Sequence, residues 1–267
     1  MKKNLIIGVV ALVVLLGIGG TVVALRSKKT GNANTEPTPV QKKKIVEPTN
    51  VIEVGDRPYL RIYPAADGRN VEIEVVSLKK NATTVEYELE YQAGSLLQGA
   101  FGQIELGSLP AKKTILLGSC SAGGACTYHE DVRGGSLVTR YDGGDERYAL
   151  KSDWKYIDNR AKETEFSSKD AKFQISSKEM AKTRYLIIFN NSGYPEGLKG
   201  TPVSDVYTLE TSTALTGKAN LTMRANEEGS LSIMGYDGKD WKKFEGKVEG
   251  KMVTAEVDLM ESYVVVK

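Results

Sequence analysis

The sequence has 267 residues, of which 40% are hydrophobic and 26% charged, a composition typical of a folded globular protein rather than of a disordered chain. Its net charge of +2 is uneven, because residues 1–50 hold eight Lys or Arg and two Glu, which leaves residues 51–267 with a net charge of −4. An acidic body without clustered Lys and Arg argues against a nucleic-acid partner, since such binding depends on cations that neutralise phosphates.

A long apolar segment lies near the N-terminus. Residues 5–25 form a run of 21 residues without a charge, with basic residues on both flanks. A helix of this length, rising about 1.5 Å per residue, crosses a hydrocarbon core about 30 Å thick. We predict a single-pass transmembrane helix at 5–25, a short cytoplasmic end at 1–4 and an extracytoplasmic C-terminal portion, anchored in the cell membrane. A cleaved secretory signal is the alternative, and it leaves the body on the same side of the membrane.

Residues 26–50 follow the apolar segment and are rich in Lys, Thr, Asn and Pro. So few apolar side chains cannot offset the entropy of ordering the chain. This composition predicts a disordered stalk.

From Tyr59 onward, apolar and polar residues alternate, which is typical of strands with one face on a core. Gly, Asp, Asn and Pro separate these runs at intervals of about ten residues, the spacing expected of a β-sandwich. We predict a first β-sandwich domain over 51–157, with strands at 59–63, 71–78, 84–91, 101–106, 113–120, 125–130, 136–141 and 146–154.

A second alternating series predicts a second β-sandwich domain over 164–267, after a polar linker at 158–163. Asp237-Gly238 favours a tight hairpin turn, and Trp241, Phe244 and Tyr263 are expected in the core or at its rim. The fold class is therefore all-β, with two immunoglobulin-like sandwiches in tandem. The strands of the second are expected at 172–176, 184–191, 205–211, 219–225, 230–238, 240–246, 253–258 and 262–267.

The run "ANLTMRANEEGSLSIMGYDGKDWKKFEGKVEGKMVTAEVDLMESYVVV" resembles the C-terminal half of β-sandwich modules common in bacterial surface proteins. These modules are related to the domain shared by netrin receptors, ankyrins and tight-junction scaffolds, and the resemblance covers about 165–267. Some relatives cleave themselves at a His-Phe-Ser triplet before the closing strand. The matching positions here are Leu259, Met260 and Glu261, so the resemblance does not imply self-cleavage.

The segment "GSCSAGGACTYHE" at 118–130 holds both cysteines and the only histidine of the chain. Gly123-Gly124 lies between Cys120 and Cys126 and favours a turn, which would bring the two cysteines face to face across a hairpin. Two cysteines in an exported chain fit an oxidised pair. We predict a disulfide between Cys120 and Cys126, with two free buried thiols as the alternative.

The same segment is a weak candidate for metal binding or catalysis. A structural zinc site needs four ligands, and Cys120, Cys126 and His129 would need a carboxylate from Glu130 or Asp131 to complete the set. Cys126 and His129 are three residues apart on a predicted strand, so their side chains point to opposite faces, which disfavours a catalytic pair. The Asp-Gly motifs at 141–146 and 236–240 are interpreted as hairpin turns, although weak calcium binding there stays open. No cofactor and no metal site are predicted.

These features favour a function without catalysis. The predicted protein is a membrane-anchored binding, adhesion or envelope-structural module, and a surface protein or a polysaccharide is the partner this function implies. Tyr87, Tyr91, Tyr141 and Tyr148 are candidates for a sugar-binding face, and core or rim positions in the strands, which tyrosine also favours, are the alternative. An envelope hydrolase that uses carboxylates or the Cys/His cluster is one alternative, and a subunit of a membrane assembly is another.

Overall fold

The computed structural model describes residues 47–191 and 193–267. These residues form nineteen β-strands, all paired antiparallel, and two short 3₁₀ helices, which confirms the predicted all-β class. The predicted transmembrane helix at 5–25 lies outside the described residues. Within the described ranges, no helix has the length and apolar character needed to cross a membrane.

Each predicted strand has a counterpart, with bounds that differ by up to five residues, but the strands at 165–167 and 247–249 were not predicted and the predicted strand at 113–120 is two strands. In chain order they are β1 (Tyr59–Pro64), β2 (Asn70–Ser77), β3 (Thr84–Ala93), β4 (Leu96–Glu105), β5 (Ala111–Leu116), β6 (Gly118–Cys120), β7 (Cys126–Tyr128), β8 (Val132–Asp142), β9 (Tyr148–Asp158), β10 (Glu165–Ser167), β11 (Phe173–Ser176), β12 (Tyr185–Asn191), β13 (Val206–Thr211), β14 (Lys218–Arg224), β15 (Ser232–Tyr236), β16 (Trp241–Phe244), β17 (Lys247–Glu249), β18 (Met252–Asp258) and β19 (Ser262–Val266). The 3₁₀ helices are Val54–Asp56 and Lys178–Lys182.

One nine-stranded sheet runs through the body, in the order β16-β15-β19-β13-β12-β9-β8-β3-β4. It takes strands from both predicted sandwich segments and joins them through β9 and β12, where Tyr185 pairs with Asp158 and Phe189 with Trp154. A three-stranded sheet (β1-β2-β5), a five-stranded sheet (β10-β11-β14-β18-β17) and the β6-β7 hairpin complete the fold.

The two smaller sheets pack on opposite faces of the large one. Ile187 and Phe189 belong to the hydrophobic core that the large sheet shares with β1, β2 and β5. Leu186 and Ile188, which alternate with them along β12, belong to the core shared with β11, β14 and β18. Because both faces of β12 are covered, four consecutive residues of this strand are buried, as expected of a run in the middle of two packed layers.

The predicted division into two domains at 158–163 stays a prediction, and residues 47–267 group as one compact unit. The buried Asn159 organises the connection: its side-chain amide donates to the carbonyls of Glu163 and Met180 at 3.1 and 3.0 Å. Sequence reasoning found no core position between 157 and the strand at Phe173, but Phe166 is 7% exposed and packs in the second core. An isolated apolar residue carries no periodicity, so that position gave no signal.

Residues 47–50, the end of the predicted stalk, contact the large sheet. The Glu47 carboxylate accepts from Arg140 Nε at 2.7 Å, and the Asn50 amide donates to the Lys151 carbonyl at 2.9 Å. The body therefore begins a few residues before the predicted boundary at 51.

The four tyrosines considered for a sugar-binding face lie in the core instead. Tyr87, Tyr91, Tyr141 and Tyr148 are at most 7% exposed and belong to the first core. The alternation of β3 explains this, because the pleat that directs its glutamates outward directs its tyrosines inward.

Candidate functional site

The cysteine-containing segment forms a small hairpin. Cys120 of β6 and Cys126 of β7 are register partners with Cα atoms 4.0 Å apart, and their sulfurs are joined in the predicted disulfide. The turn at 121–125 is closed by two backbone hydrogen bonds, from Ser121 to the Ala125 carbonyl at 2.8 Å and from Gly124 to the Ser121 carbonyl at 2.9 Å. Gly124 has a φ of 84°, the left-handed conformation that favours glycine.

The disulfide removes both cysteines as possible partners of His129 in metal binding or catalysis. With both sulfurs bonded to each other, neither cysteine offers a thiolate to a metal or to a substrate. His129 follows the hairpin, and its Nδ1 lies 2.9 Å from the hydroxyl of Tyr91, which orients the ring. Across the described residues, no group of three or more His, Cys, Asp or Glu side chains is placed to hold a metal ion.

His129 lines a groove of about 620 Å³ beside the hairpin. Four segments that are distant in sequence form its walls: the turn between β1 and β2, the chain that leaves β7, the end of β9 and the start of β12. The side chains that line it are mostly aromatic or charged, and they include Asp67, Arg69, Tyr128, His129, Tyr156, Asp158, Arg160 and Tyr185.

Two tyrosines from the large sheet support the floor of this groove. The ring of Tyr185 lies so close to Gly68 that a Cβ atom there would be 2.3 Å from it, and the hydroxyl of Tyr156 donates to the Gly68 carbonyl at 3.2 Å. Gly68 also has a φ of 70°. Only glycine fits at position 68 without strain. The turn that it forms positions Arg69.

Arg69 and the hairpin make the outer wall. The Arg69 guanidinium lies 4.3 Å from the centre of the Tyr128 ring, a distance at which a cation is attracted to the face of an aromatic ring. Tyr128 remains 40% exposed, although it is held by the hairpin and by this contact. An ordered aromatic surface of this kind loses little conformational entropy when a ligand covers it.

The opposite wall carries an ion-pair cluster. Asp158 at the end of β9 accepts from Arg160 Nε at 2.8 Å and also pairs with Arg184. The guanidinium of Arg184 lies 5.3 Å from the centre of the Tyr185 ring. The groove thus presents aromatic rings together with fixed donors and acceptors, an arrangement suited to a polar ligand with apolar faces.

Sequence reasoning selected the segment 118–130 and missed the rest of this groove. Arg69, Tyr156 and Tyr185 come from three separate parts of the chain, and the only local signal near them is the turn "ADGRN". Of the four tyrosines considered for a sugar-binding face, only Tyr91 reaches the groove, through its hydrogen bond to His129.

A second cavity, of about 420 Å³, lies where the three-stranded sheet ends over β13. Arg61 of β1 donates to both carboxylate oxygens of Glu210, at 2.6 and 3.0 Å, and its third nitrogen pairs with Glu261 at 2.8 Å. Nearby, the hydroxyl of Tyr63 donates to Glu74 at 2.6 Å, and Lys112 pairs with the same carboxylate at 3.2 Å.

Burial raises the pKa values of two glutamates in this cluster. It raises the pKa of Glu210 to about 7, although the bonds from Arg61 lower it and the nearby Glu261 and Glu74 raise it further. The pKa of Glu261 is also raised, by burial first. Both carboxylates therefore bind a proton more readily than an exposed glutamate does.

The two Asp-Gly motifs are hairpin turns in which the aspartates bind their own backbone. Asp237 Oδ1 accepts from the amides of Lys239 and Asp240, each at 2.9 Å, and Asp142 Oδ1 accepts from the amide of Gly143 at 2.7 Å. The bonds of Asp237 are those of an Asx turn, whereas Asp142 accepts from the adjacent amide.

The fold and this site define the chain as an antiparallel all-β protein with a disulfide-closed hairpin beside an aromatic groove. Comparison with protein-family models, with curated proteins and with solved structures finds no match. The resemblance of 165–267 to bacterial surface modules therefore stays a prediction. At the positions where some of those modules carry a nucleophile, Glu261 is an ion-pair partner of Arg61.

Proposed function

We propose that this chain is a membrane-anchored, extracytoplasmic binding protein that captures a glycan in the groove beside the disulfide hairpin. The observation that carries the proposal is the groove itself, about 620 Å³ in volume, in which the exposed Tyr128 and the half-buried Tyr185 lie beside the charged side chains of Arg69, Asp158 and Arg160. Sugar rings bind proteins through their apolar faces on aromatic rings and through hydrogen bonds from their hydroxyls to charged groups. The groove offers both kinds of contact side by side.

The location outside the cytoplasm has two supports. The apolar run at 5–25 is long enough to cross a membrane, and the body carries a disulfide, a bond that persists in oxidising compartments. The body also carries a net charge of −4 over residues 51–267, which disfavours nucleic acid as its ligand.

Binding of soluble oligosaccharides tests the proposal. The full chain in detergent micelles is screened against a panel of neutral, acidic and N-acetylated oligosaccharides, and affinities are measured by isothermal titration calorimetry. We expect Tyr128→Ala to raise the Kd of the best binder about fivefold, because an aromatic contact contributes on the order of 1 kcal/mol. Tyr128 is exposed, so its truncation leaves both cores intact.

Val248→Ala is the matched control, because Val248 is 38% exposed but lies on β17, outside the groove. It should leave the affinity unchanged. No binding by any member of the panel, or equal affinities for Tyr128→Ala and the original chain, would contradict the proposal. Recovery of shortened oligosaccharides after incubation would favour the hydrolase alternative.

A further inference from the structure

Strand β4 differs from the other edge strands of the described body. It is the last strand of the nine-stranded sheet and, among the described residues, it pairs only with β3. It is ten residues long, and its first nine residues, 96–104, carry no charge. Unpaired backbone groups on such an edge are ready to pair with another strand.

Each remaining edge of the three larger sheets is protected by charge, by short length or by packing. The strands β5, β16 and β17 carry exposed Lys, β10 has only three residues, one of them Glu165, and β1 lies against β12 and β13. Charged residues, short strands and covering elements are the usual means by which soluble proteins prevent pairing between edges. β4 is long and has no charge before Glu105.

Three exposed side chains of β4 are apolar, whereas those of Gln103 and Glu105 near its end are polar. Leu96 and Leu97 are 63% and 66% exposed, and Phe101 is 86% exposed. Leu97 and Phe101 lie on the same face of the sheet, with Gly99 between them, because side chains two residues apart point the same way. Leu97, Gly99 and Phe101 therefore present an uncharged face along an open edge, apolar at Leu97 and Phe101.

The direction of the backbone groups follows from the β3–β4 hairpin. Ala93 and Leu96 are partners across a two-residue turn, so even-numbered residues of β4 bond to β3 and odd-numbered residues direct their amide and carbonyl groups toward the open edge. Leu97 and Phe101 thus combine outward-directed backbone groups with exposed side chains, and Gly99 contributes its backbone between them.

We propose that β4 pairs with β4 of a second copy of this chain, antiparallel across a twofold axis at Gly99. In this register Leu97 of one copy faces Phe101 of the other, and the same contact occurs twice, which is how a twofold interface is built. Leu96 lies opposite Gly102 of the second copy, where the ring of Tyr87 passes close to the backbone. No like charges meet along 96–104, so the strand complements itself.

A single cysteine at the axis tests this pairing in the full chain. Gly99 tolerates a side chain, since a Cβ atom there would have its nearest neighbour at 3.8 Å. In detergent micelles under mild oxidation, Gly99→Cys should form a disulfide-linked dimer that reductant reverses on a denaturing gel. Val248→Cys, on the charged edge strand β17, should give no more than the background of the original chain.

A second substitution tests the apolar contact. Phe101→Lys, added to Gly99→Cys, should lower the fraction of linked dimer at least tenfold, because each Lys would face Leu97 of the other copy. Val248→Lys in the same background should leave the fraction unchanged. Equal linkage in Gly99→Cys and Val248→Cys, or linkage that survives Phe101→Lys, would overturn the proposal. A dimer held only by residues 1–46, or a different protein bound along β4, would leave Gly99→Cys and Val248→Cys equally linked.

Discussion

At the scale of single residues, Arg61 is a charge held by two carboxylates. It joins β1 of the three-stranded sheet to Glu210 of the large sheet and to Glu261 before β19. Glu210 is 5% exposed, so its charge depends on this partner. Removing one member of such a buried pair typically destabilises a protein by about 3–5 kcal/mol.

The Glu210 carboxyl group should make stability depend on pH. Its pKa is raised from 4.5 to about 7 by burial, so the folded chain holds a proton that the unfolded chain has released between these values. The resulting stabilisation is complete below pH 4.5 and is lost as the pH rises to about 7. We expect the free energy of unfolding to fall by about 2–3 kcal/mol across this window, measured by urea denaturation.

Glu210→Gln should reduce the slope of that profile, because glutamine does not titrate, whereas Glu261, whose pKa burial also raises, still does. Glu86→Gln is the control, since Glu86 forms an exposed pair with Arg147 and both side chains are 51% exposed. The neighbours that face Glu210 (Arg61, Tyr63, Glu74 and Glu261) remain in both variants. An unchanged slope in Glu210→Gln would show that another group is responsible.

At the scale of elements, the β6-β7 hairpin depends on its disulfide. Strands of three residues form too few hydrogen bonds to be stable alone, and the residues of this hairpin are largely exposed. The bond closes a short loop and is expected to contribute about 2 kcal/mol through the entropy of the unfolded chain. It therefore holds Tyr128 and His129 in place at the groove.

The cysteines of this hairpin also report which side of the membrane the body occupies. In intact cells that express the chain, a membrane-impermeant maleimide should label it only after treatment with a reductant, because both cysteines are bonded but exposed. Cys126→Ser leaves Cys120 free and should be labelled without reductant. Labelling of the original chain without reductant would contradict the disulfide, and labelling of Cys126→Ser only after cell lysis would contradict the proposed location.

At the scale of the whole body, the continuous nine-stranded sheet couples the two cores. Ile187 and Phe189 pack in one core, and Leu186 and Ile188 pack in the other. The central strand β12 cannot leave one core without leaving the second. Residues 47–267 should therefore unfold as one cooperative unit.

The two tryptophans allow a direct test of this cooperativity. Trp154 is buried in the first core, and Trp241 packs beside Val264 and Met234 in the other half of the sheet. Trp241→Phe and Trp154→Phe each leave one fluorescent reporter. Within either variant, urea transitions followed by fluorescence and by far-ultraviolet circular dichroism should coincide.

Phe189→Ala, added to either reporter, should lower the free energy of unfolding by about 3–5 kcal/mol in both, because the cavity lies in a strand that belongs to both halves. Val248→Ala should change neither. If Phe189→Ala lowers the free energy of unfolding in the variant that retains Trp154 but not in the variant that retains Trp241, the two halves unfold independently, as separate tandem domains do.

The period of two in the sequence located most of the strands, because alternation records which side chains face a core wherever that core is. The three-residue strands β10 and β17 are too short to show a period. In β3 the glutamates at 86, 88 and 90 mark the outward face, and of the two positions considered for Tyr87, a sugar-binding face and the core, the structure places it in the core. The disulfide was predictable because both cysteines lie on one hairpin, so that local geometry alone brings them together.

The sequence by itself determined the all-β class, most strand positions, the Cys120–Cys126 hairpin and the apolar segment at 5–25, since each depends on residues that are close along the chain. Only the tertiary structure decided that the strands of both halves share one sheet, that Arg69, Tyr128, Tyr156 and Tyr185 surround one groove, and that Arg61 pairs with Glu210. These contacts join residues many positions apart. The free energy that selects them comes from burying whole sheet faces against each other, which leaves no signature in the local pattern of any one strand.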